Sequence, residues 1–286
     1  MTLLRTIFCL MLLSVLAQTS PAATWTTLDV PGAYSTLGVF DINNNGVMVG
    51  GYFQTSVGNS MGFVDDHGTF TTVNEPNGNY TVVSGINDLG QMVGYYYAKS
   101  NGQSNGFYYD GTTFTTIDPP GSTYSDLEKI NNNGQMVGVY VDTSNVEHAF
   151  EYDMTTATFT IIDPPDSYDA QAGGINNLGA IAGYYATRAN GNLAFLLSNG
   201  TYQDITYPSA GLTRPYGIND SGEVVGSVTS PKGQRFRAFV YLNGQFGRLN
   251  FPGATFTAAY GINNAGVIVG FWAGTTNVTH GFIRTP

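Results

Sequence analysis

A nine-residue motif recurs six times along the chain, and its spacing constrains the fold more than any other feature. The copies begin at Ile42, Ile86, Ile130, Ile175, Ile218 and Ile262. Each copy reads Ile-Asn, two variable residues, Gly and a short apolar segment that ends in Gly, and successive copies start 43 to 45 residues apart. A fixed period of this length indicates a repeat architecture in which every repeat is one supersecondary unit.

Four short apolar or aromatic segments lie within each repeat. In the second repeat they occupy residues 80–86, 91–98, 106–109 and 113–118. The intervening Asn-x-x-Gly and Asp-Gly sequences are typical of hairpin turns. Four antiparallel strands in about every 40–45 residues predict a β-propeller blade. The expected fold class is therefore all-β, a six-bladed β-propeller with four-stranded blades.

The two ends of the chain predict how the ring closes. The last repeat stops at Pro286 after its third strand, whereas residues 25–29 form a spare fourth-strand segment before the first motif. If residues 25–29 complete the last blade, every segment is used and no ring edge stays open. A linear solenoid is the alternative, and it would leave both end repeats incomplete.

The N-terminal 23 residues are predicted to be a signal peptide. Arg5 precedes a short apolar stretch, and small residues follow that allow cleavage after Ala22 or after Ala17. A membrane anchor is the alternative, but the apolar stretch is short for a membrane span. Residues 24–286 then form a single domain, which we expect to be secreted, periplasmic or on a bacterial cell surface. Cys9 is the only cysteine of the chain, so the mature domain has no disulfide.

The charge balance bears on the choice of partners. Without Arg5, nine basic and 20 acidic residues remain, a formal net charge of −11. This acidic balance disfavours nucleic acid as a partner. Six of the nine basic residues lie after residue 210. We expect this less acidic third of the domain to be solvated surface rather than an anion site.

The repeats resemble a family of bacterial extracellular repeats named after a His-Ala-Phe tripeptide, which stands here at His148-Ala149-Phe150. The matching tripeptides are 61–63, 105–107, 193–195, 237–239 and 280–282. The resemblance covers about residues 25–286 and implies an exported repeat protein of propeller type. It implies no activity, so it identifies no catalytic residue. Because only His148 and His280 keep the histidine, a role that needs it in every blade is disfavoured.

Three polar features have structural as well as functional interpretations. The motif asparagines could gather around the channel to bind a ligand, but we expect each to hydrogen-bond its own turn, with the following Gly at positive φ. Asp41 opens a partial calcium-loop sequence whose twelfth position is Tyr52, so neither a metal nor a cofactor is predicted. His148 and His280 should lie on opposite sides of the ring, each bonding a backbone group.

Catalytic signatures are absent from the sequence. It contains no nucleophile elbow, phosphate-binding loop or zinc-hydrolase motif. Carboxylate pairs such as Asp126 with Glu128 are expected to be solvated surface. No catalytic residue is therefore predicted.

The long, variable loops and the connections between blades should open on one face, which we call the long-loop face. Tyrosines and carboxylates there suit stacking and hydrogen bonding to a sugar or a protein epitope, although ordinary loop variability is the alternative. The candidate ligand-binding residues are Tyr34, Tyr80, Tyr124, Tyr168, Tyr216, Asp118 and Asp163. The predicted function is a monomeric binding or scaffold module for an extracellular glycan or protein. The alternative is a carbohydrate-active hydrolase or lyase that uses carboxylates at the channel mouth.

Overall fold

The computed structural model describes residues 23–56, 58–231, 236–276 and 278–286. Residues 1–22, which hold almost all of the predicted signal peptide, lie outside the described residues. The described residues form 24 strands in six antiparallel sheets of four strands each, and they contain no helix. No helix that could cross a membrane is therefore found among them. The six-bladed propeller predicted from the repeats is confirmed.

The first three blades follow the chain without interruption. Blade 1 contains β2 (Ser35–Ile42), β3 (Met48–Phe53), β4 (Ser60–Asp66) and β5 (Thr69–Val73). Blade 2 contains β6 (Gly78–Ile86), β7 (Met92–Ala98), β8 (Ser104–Tyr109) and β9 (Phe114–Thr116). Blade 3 contains β10 (Tyr124–Ile130), β11 (Gln135–Val141), β12 (Glu147–Asp153) and β13 (Thr158–Ile161).

The other three blades repeat this order, and the last one takes its outer strand from the N-terminus. Blade 4 contains β14 (Ser167–Ile175), β15 (Ile181–Thr187), β16 (Gly191–Ser198) and β17 (Thr201–Asp204). Blade 5 contains β18 (Thr213–Ile218), β19 (Val224–Thr229), β20 (Phe236–Leu242) and β21 (Gln245–Leu249). Blade 6 contains β22 (Phe256–Ile262), β23 (Ile268–Ala273), β24 (Thr279–Thr285) and β1 (Thr24–Leu28).

Ring closure by the N-terminal strand is confirmed, with β1 one residue earlier than the predicted 25–29. It pairs antiparallel with β24, and Trp25 lies opposite Arg284. The Trp25 ring packs 5.2 Å from that of Phe282 and 5.7 Å from that of Phe251. The closing strand thus contributes an aromatic side chain to the core as well as a ladder of backbone hydrogen bonds.

The phenylalanine of each tripeptide is the centre of its blade's core. Phe63, Phe107, Phe150, Phe195, Phe239 and Phe282 are at most 1% exposed. In blade 2, Phe107 lies opposite Gly94, the glycine that ends the nine-residue motif. A Cβ at Gly94 would stand 2.0 Å from the carbonyl oxygen of Val82 and 2.9 Å from the Phe107 ring. The phenylalanine and the glycine are therefore one packing unit, which explains why both recur in every repeat.

The motif turns have the backbone geometry expected from their sequence. The turn glycines are Gly46, Gly90, Gly134, Gly179, Gly222 and Gly266, with φ between 74° and 82°. Residues other than glycine rarely adopt this conformation. In an antiparallel blade these short turns, together with the turns between third and fourth strands, lie at one end of the channel. The long loops and the blade connections therefore lie at the other end.

Candidate functional site

The motif asparagines form a closed ring at the short-turn end of the channel. As expected, each Oδ1 accepts hydrogen bonds from two backbone N–H groups of its own turn, at 2.9–3.1 Å. In addition, each Nδ2 donates to the carbonyl oxygen of the equivalent asparagine in the next blade. The six donors are Asn43, Asn87, Asn131, Asn176, Asn219 and Asn263, at 3.0–3.2 Å. The asparagines thus stabilise their turns and also connect all six blades.

A second ring surrounds the first. Its members are Asn44, Asp88, Asn132, Asn177, Asp220 and Asn264. The backbone N–H of each member donates to Oδ1 of the next one at 2.7–2.9 Å. Asp88 and Asp220, on opposite blades, each also accept from the side-chain amides of both neighbours. Partial burial raises the pKa of both carboxyl groups, but these hydrogen bonds lower it by more. The pKa of each group is therefore below its usual value.

These two rings favour closure of the channel over ligand binding. The cavity between them has a volume of about 60 Å³, room for a few water molecules. The amide and carboxylate groups around it already bond one another. Within the described residues, no three His, Cys, Asp or Glu side chains are grouped so that they could hold a metal ion.

An ion pair crosses the channel above the rings. Lys129 Nζ donates to the carbonyl oxygens of Phe40 and Ser84 and lies 3.5 Å from Asp41 Oδ1. Burial lowers the pKa of Lys129 and raises that of Asp41, and the attraction between the two groups opposes both shifts. The Asp41 carboxylate thus contacts Lys129 and accepts a hydrogen bond from the Ile86 N–H.

The other four blades have glycine at the position of Asp41 and Lys129, namely Gly85, Gly174, Gly217 and Gly261. The axial strands approach so closely there that added side chains would clash. A Cβ at Gly261 would stand 2.8 Å from Asp41 Cα, and one at Gly217 would stand 3.2 Å from Gly261 Cα. The axis therefore has room for very few side chains, and the Asp41–Lys129 pair fills it.

Above this pair, the axial strand of every blade contains a β-bulge. The bulged residues are Phe40, Ser84, Glu128, Gly173, Tyr216 and Tyr260. They touch across blade boundaries: Tyr216 stacks on Tyr260 with ring centroids 4.3 Å apart, and Tyr260 packs 5.1 Å from Phe40. Three of the six blades therefore supply a continuous aromatic wall. It lines the long-loop end of the channel, which we call the channel mouth.

Two carboxylates occupy the same mouth, and the expectation that they are solvated surface is wrong. Asp126 is 5% exposed and accepts hydrogen bonds from Ser104 Oγ at 2.7 Å and from the Tyr124 hydroxyl. Burial first, and then the nearby Glu128 charge, raise the pKa of Asp126 to about 7. Burial also raises the pKa of Glu128, against the attraction of Lys129. The bulge changes the alternation of side chains along β10, and this cannot be read from neighbouring acids in a sequence.

An arginine completes the mouth. The guanidinium of Arg214 lies 5.1 Å from the centre of the Tyr184 ring, and the Tyr184 hydroxyl donates to Gln171 Oε1. Gln171 Nε2 in turn donates to Glu147 Oε2 at 2.6 Å. Within the described part of the chain, the buried Nε of Arg214 has no hydrogen-bond partner. Sequence reasoning missed this group, because Arg214, Tyr184 and Glu147 come from three different strands.

Three of the predicted tyrosines belong to this mouth. Tyr124 bonds Asp126, Tyr216 stacks on Tyr260, and Tyr80 stacks on Tyr97 with centroids 5.0 Å apart. Tyr34 and Tyr168, by contrast, are 59% and 50% exposed at the rim.

The two predicted acceptors already bond other residues of the fold: Asp118 bonds blades 2 and 3, and Asp163 bonds blade 3 alone. Asp118 accepts from the Ser125 hydroxyl and from Gly106 N at 3.0 Å. Asp163 accepts from Ala149 N at 2.8 Å, and its Oδ2 lies 2.6 Å from Nδ1 of His148. The expectation that His148 bonds a backbone group is therefore wrong. His280 is held in the same way, with Nδ1 3.0 Å from both oxygens of Asp29.

Comparison with known proteins identifies the fold alone. No family model and no curated protein matches the sequence. Among solved structures, AofleA from Arthrobotrys oligospora is similar at a TM-score of 0.57 and 12% identity, over 91% of this chain and 86% of that one. The Aleuria aurantia lectin, in complex with Fucα1-6GlcNAc, is similar at a TM-score of 0.53 and 15% identity, over 88% and 92%. A Hadza microbial sialidase is similar at a TM-score of 0.56 and 11% identity, and the match covers 89% of this chain and 66% of the sialidase.

Proposed function

We propose that the protein is an exported binding module that recognises a glycan at the tyrosine-lined mouth of its channel, on the long-loop face. The observation that carries this proposal is the convergence of Tyr124, Tyr216 and Arg214 with the Asp126 and Glu128 carboxylates. Aromatic faces bind the C–H faces of sugar rings, while carboxylates and guanidinium groups bind their hydroxyls and fix their orientation.

The two ends of the channel differ in a way that supports this location. At the short-turn end, the amide and carboxylate groups bond one another in two rings. At the long-loop end, the neighbouring blades supply different residues, so the surface is asymmetric and can orient a ligand. The similar solved structures include lectins in complex with fucose-containing ligands, and this supports a glycan over a protein epitope as the partner.

A glycan array on the chain 24–286, followed by calorimetry with the best ligand, tests the proposal. Tyr124→Ala and Tyr216→Ala should each weaken binding by about 1–3 kcal/mol, as expected for stacking residues at the centre of an interface. Leu89→Ala and Leu178→Ala, exposed positions in the short turns, are the matched controls. An array without any bound glycan, or binding that only the leucine variants abolish, would contradict the proposal.

A carbohydrate-active hydrolase or lyase is the second candidate, and one observation favours it. A carboxyl group with a pKa of about 7, such as Asp126, is suited to act as a general acid or base near neutral pH. A turnover assay on the polysaccharides that the array identifies separates the two functions. Activity lost in Asp126→Asn or Glu128→Gln would support catalysis, and binding without turnover would support the module.

A further inference from the structure

A cavity of about 250 Å³ lies on the outer part of the long-loop face, away from the channel. It forms where the connection from β17 to β18 covers one end of β19, β20 and β21. The connection is held there by hydrogen bonds between Gly211 N and Thr229 O, at 2.9 Å, and between Thr229 N and Leu212 O, at 3.0 Å. The lining residues are Tyr207, Pro208, Ser209, Ala210, Val228, Thr229, Ser230, Arg237, Ala238 and Arg248.

The charge of this cavity is opposite to that of the whole protein. Of the residues that the structure describes, two arginines and no Asp or Glu line it, in a chain of formal net charge −10. The Arg237 side chain is partly buried and makes no hydrogen bond or ion pair with another described residue. Arg248 is placed by the Tyr207 hydroxyl, which accepts from its Nε at 3.3 Å. A partly buried guanidinium without an acidic partner among the described residues is available to an external anion.

We propose that this cavity binds a uronic acid residue of an acidic glycan, with Arg237 and Arg248 holding the sugar carboxylate. A guanidinium group matches a carboxylate with two parallel hydrogen bonds. The hydroxyl and aliphatic side chains of the lining suit the hydroxyl groups and the C–H face of a sugar ring. This inference favours the anion-site alternative over the expectation that the basic C-terminal third is solvated surface.

The surroundings of Arg237 point to an oligosaccharide rather than a free monosaccharide. Arg237 also lines a second, open cavity of about 550 Å³, beside the connection from β21 to β22. Phe236 and Phe256 pack there with ring centroids 4.7 Å apart. A sugar bound at Arg237 therefore has room for a linked neighbour over an aromatic surface. The site shares no residue with the channel mouth, so it does not depend on the function proposed there.

Ligand-observed NMR with three probes tests the proposal: methyl glucuronide, its methyl ester and methyl glucoside. The acid should bind roughly ten- to hundredfold more tightly than the ester or the neutral sugar, the range of a charge-assisted hydrogen bond. Arg237→Gln should abolish this difference, and Arg248→Gln should reduce it. The matched control is Arg188→Gln, an exposed arginine on the same face but in blade 4, which should leave it unchanged.

Three results would overturn the proposal. The first is equal binding of the acid and its ester. The second is an acid preference that Arg237→Gln leaves intact. The third is equally tight binding of inorganic phosphate or sulfate, which would mean an unspecific anion site. Should Arg237→Gln not fold, the comparison of acid, ester and inorganic phosphate on the unaltered protein still decides the first and third results.

Discussion

The side-chain amide of Asn263 donates to the carbonyl oxygen of Asn43 at 3.2 Å, across 220 residues of sequence. This bond closes the inner ring of asparagines, just as the pairing of β1 with β24 closes the outer edge of the last blade. The first and last repeats are therefore joined twice, once beside the axis and once at the circumference. Loss of either connection should destabilise the whole ring rather than a single blade.

Asn176→Asp tests the inner ring. Oδ1 of Asn176 accepts from Leu178 N and Ala180 N, and Nδ2 donates to Asn219 O at 3.0 Å. An aspartate keeps the two accepted bonds but places a buried carboxylate against a carbonyl oxygen. We expect a loss of about 2–3 kcal/mol in unfolding free energy by denaturant titration. Leu178→Asp adds the same charge to the same turn at a side chain 76% exposed, and an equal loss in that control would refute the role of the ring.

Trp25→Ala tests the outer closure. Removing the indole takes away its contacts with Phe282 and Phe251. We expect the unfolding free energy to fall by about 3 kcal/mol. This is at the lower end for a large aromatic side chain, because Trp25 is only partly buried. Thr27→Ala, at an exposed position of the same strand, should cost little. Deleting residues 24–30 should lower the melting temperature further than either substitution. A deleted protein that melts like the intact one would show that the ring does not need this strand.

A double-mutant cycle tests the axial pair. Lys129→Met leaves the buried Asp41 carboxylate and the carbonyl oxygens of Phe40 and Ser84 without their partner, so we expect a loss of about 3–5 kcal/mol. Asp41→Asn should lower the unfolding free energy much less in the Lys129→Met protein than in the unaltered protein. The reason is that it then removes the uncompensated Asp41 charge. Additive losses in the cycle would mean that the two groups do not interact.

Asp126 should make stability depend on pH. Its pKa is about 7 in the folded protein, above the value of about 3.9 expected when the chain is unfolded. The protonated form therefore favours the fold: this contribution is complete below about pH 4 and is lost as the pH rises through 7. The unfolding free energy of the unaltered protein should fall between pH 5 and pH 8. In Asp126→Asn this fall should be smaller by an amount on the order of 1–4 kcal/mol. The exposed Asp110→Asn control should keep the full fall.

The period of the repeats was sufficient to predict the blades, their number and the strand that closes the ring. Each of these follows from a pattern that recurs in every repeat, since glycine turns and buried phenylalanines are local requirements. Only one of the two kinds of hydrogen bond in the asparagine ring could be predicted. The bond of each side chain to its own turn is local, whereas the bond to the next blade depends on how closely the blades approach.

The candidate site was harder to predict. It depends on how many residues separate each side chain from the motif isoleucine along the first strand of its blade, which lines the axis. Tyr80 and Tyr124 stand six residues before the motif isoleucine, Tyr168 seven and Tyr216 two. They therefore lie at different heights along the ring axis, and a bulge further changes where Tyr216 points. Arg214 and Arg237 gave no local signal, since a guanidinium becomes notable only when its surroundings lack a carboxylate.

The Asp41–Lys129 pair has a consequence for the symmetry of this propeller. Six identical repeats could reproduce every blade, every asparagine bond and every buried phenylalanine described above, but not the axis. Six lysines would crowd like charges where the strands nearly touch, and six glycines would leave the carbonyl oxygens of Phe40 and Ser84 without the donor that Lys129 supplies. The ion pair at the axis of this ring therefore exists only because two repeats differ from the other four, and a design that averaged the repeats to glycine would remove it.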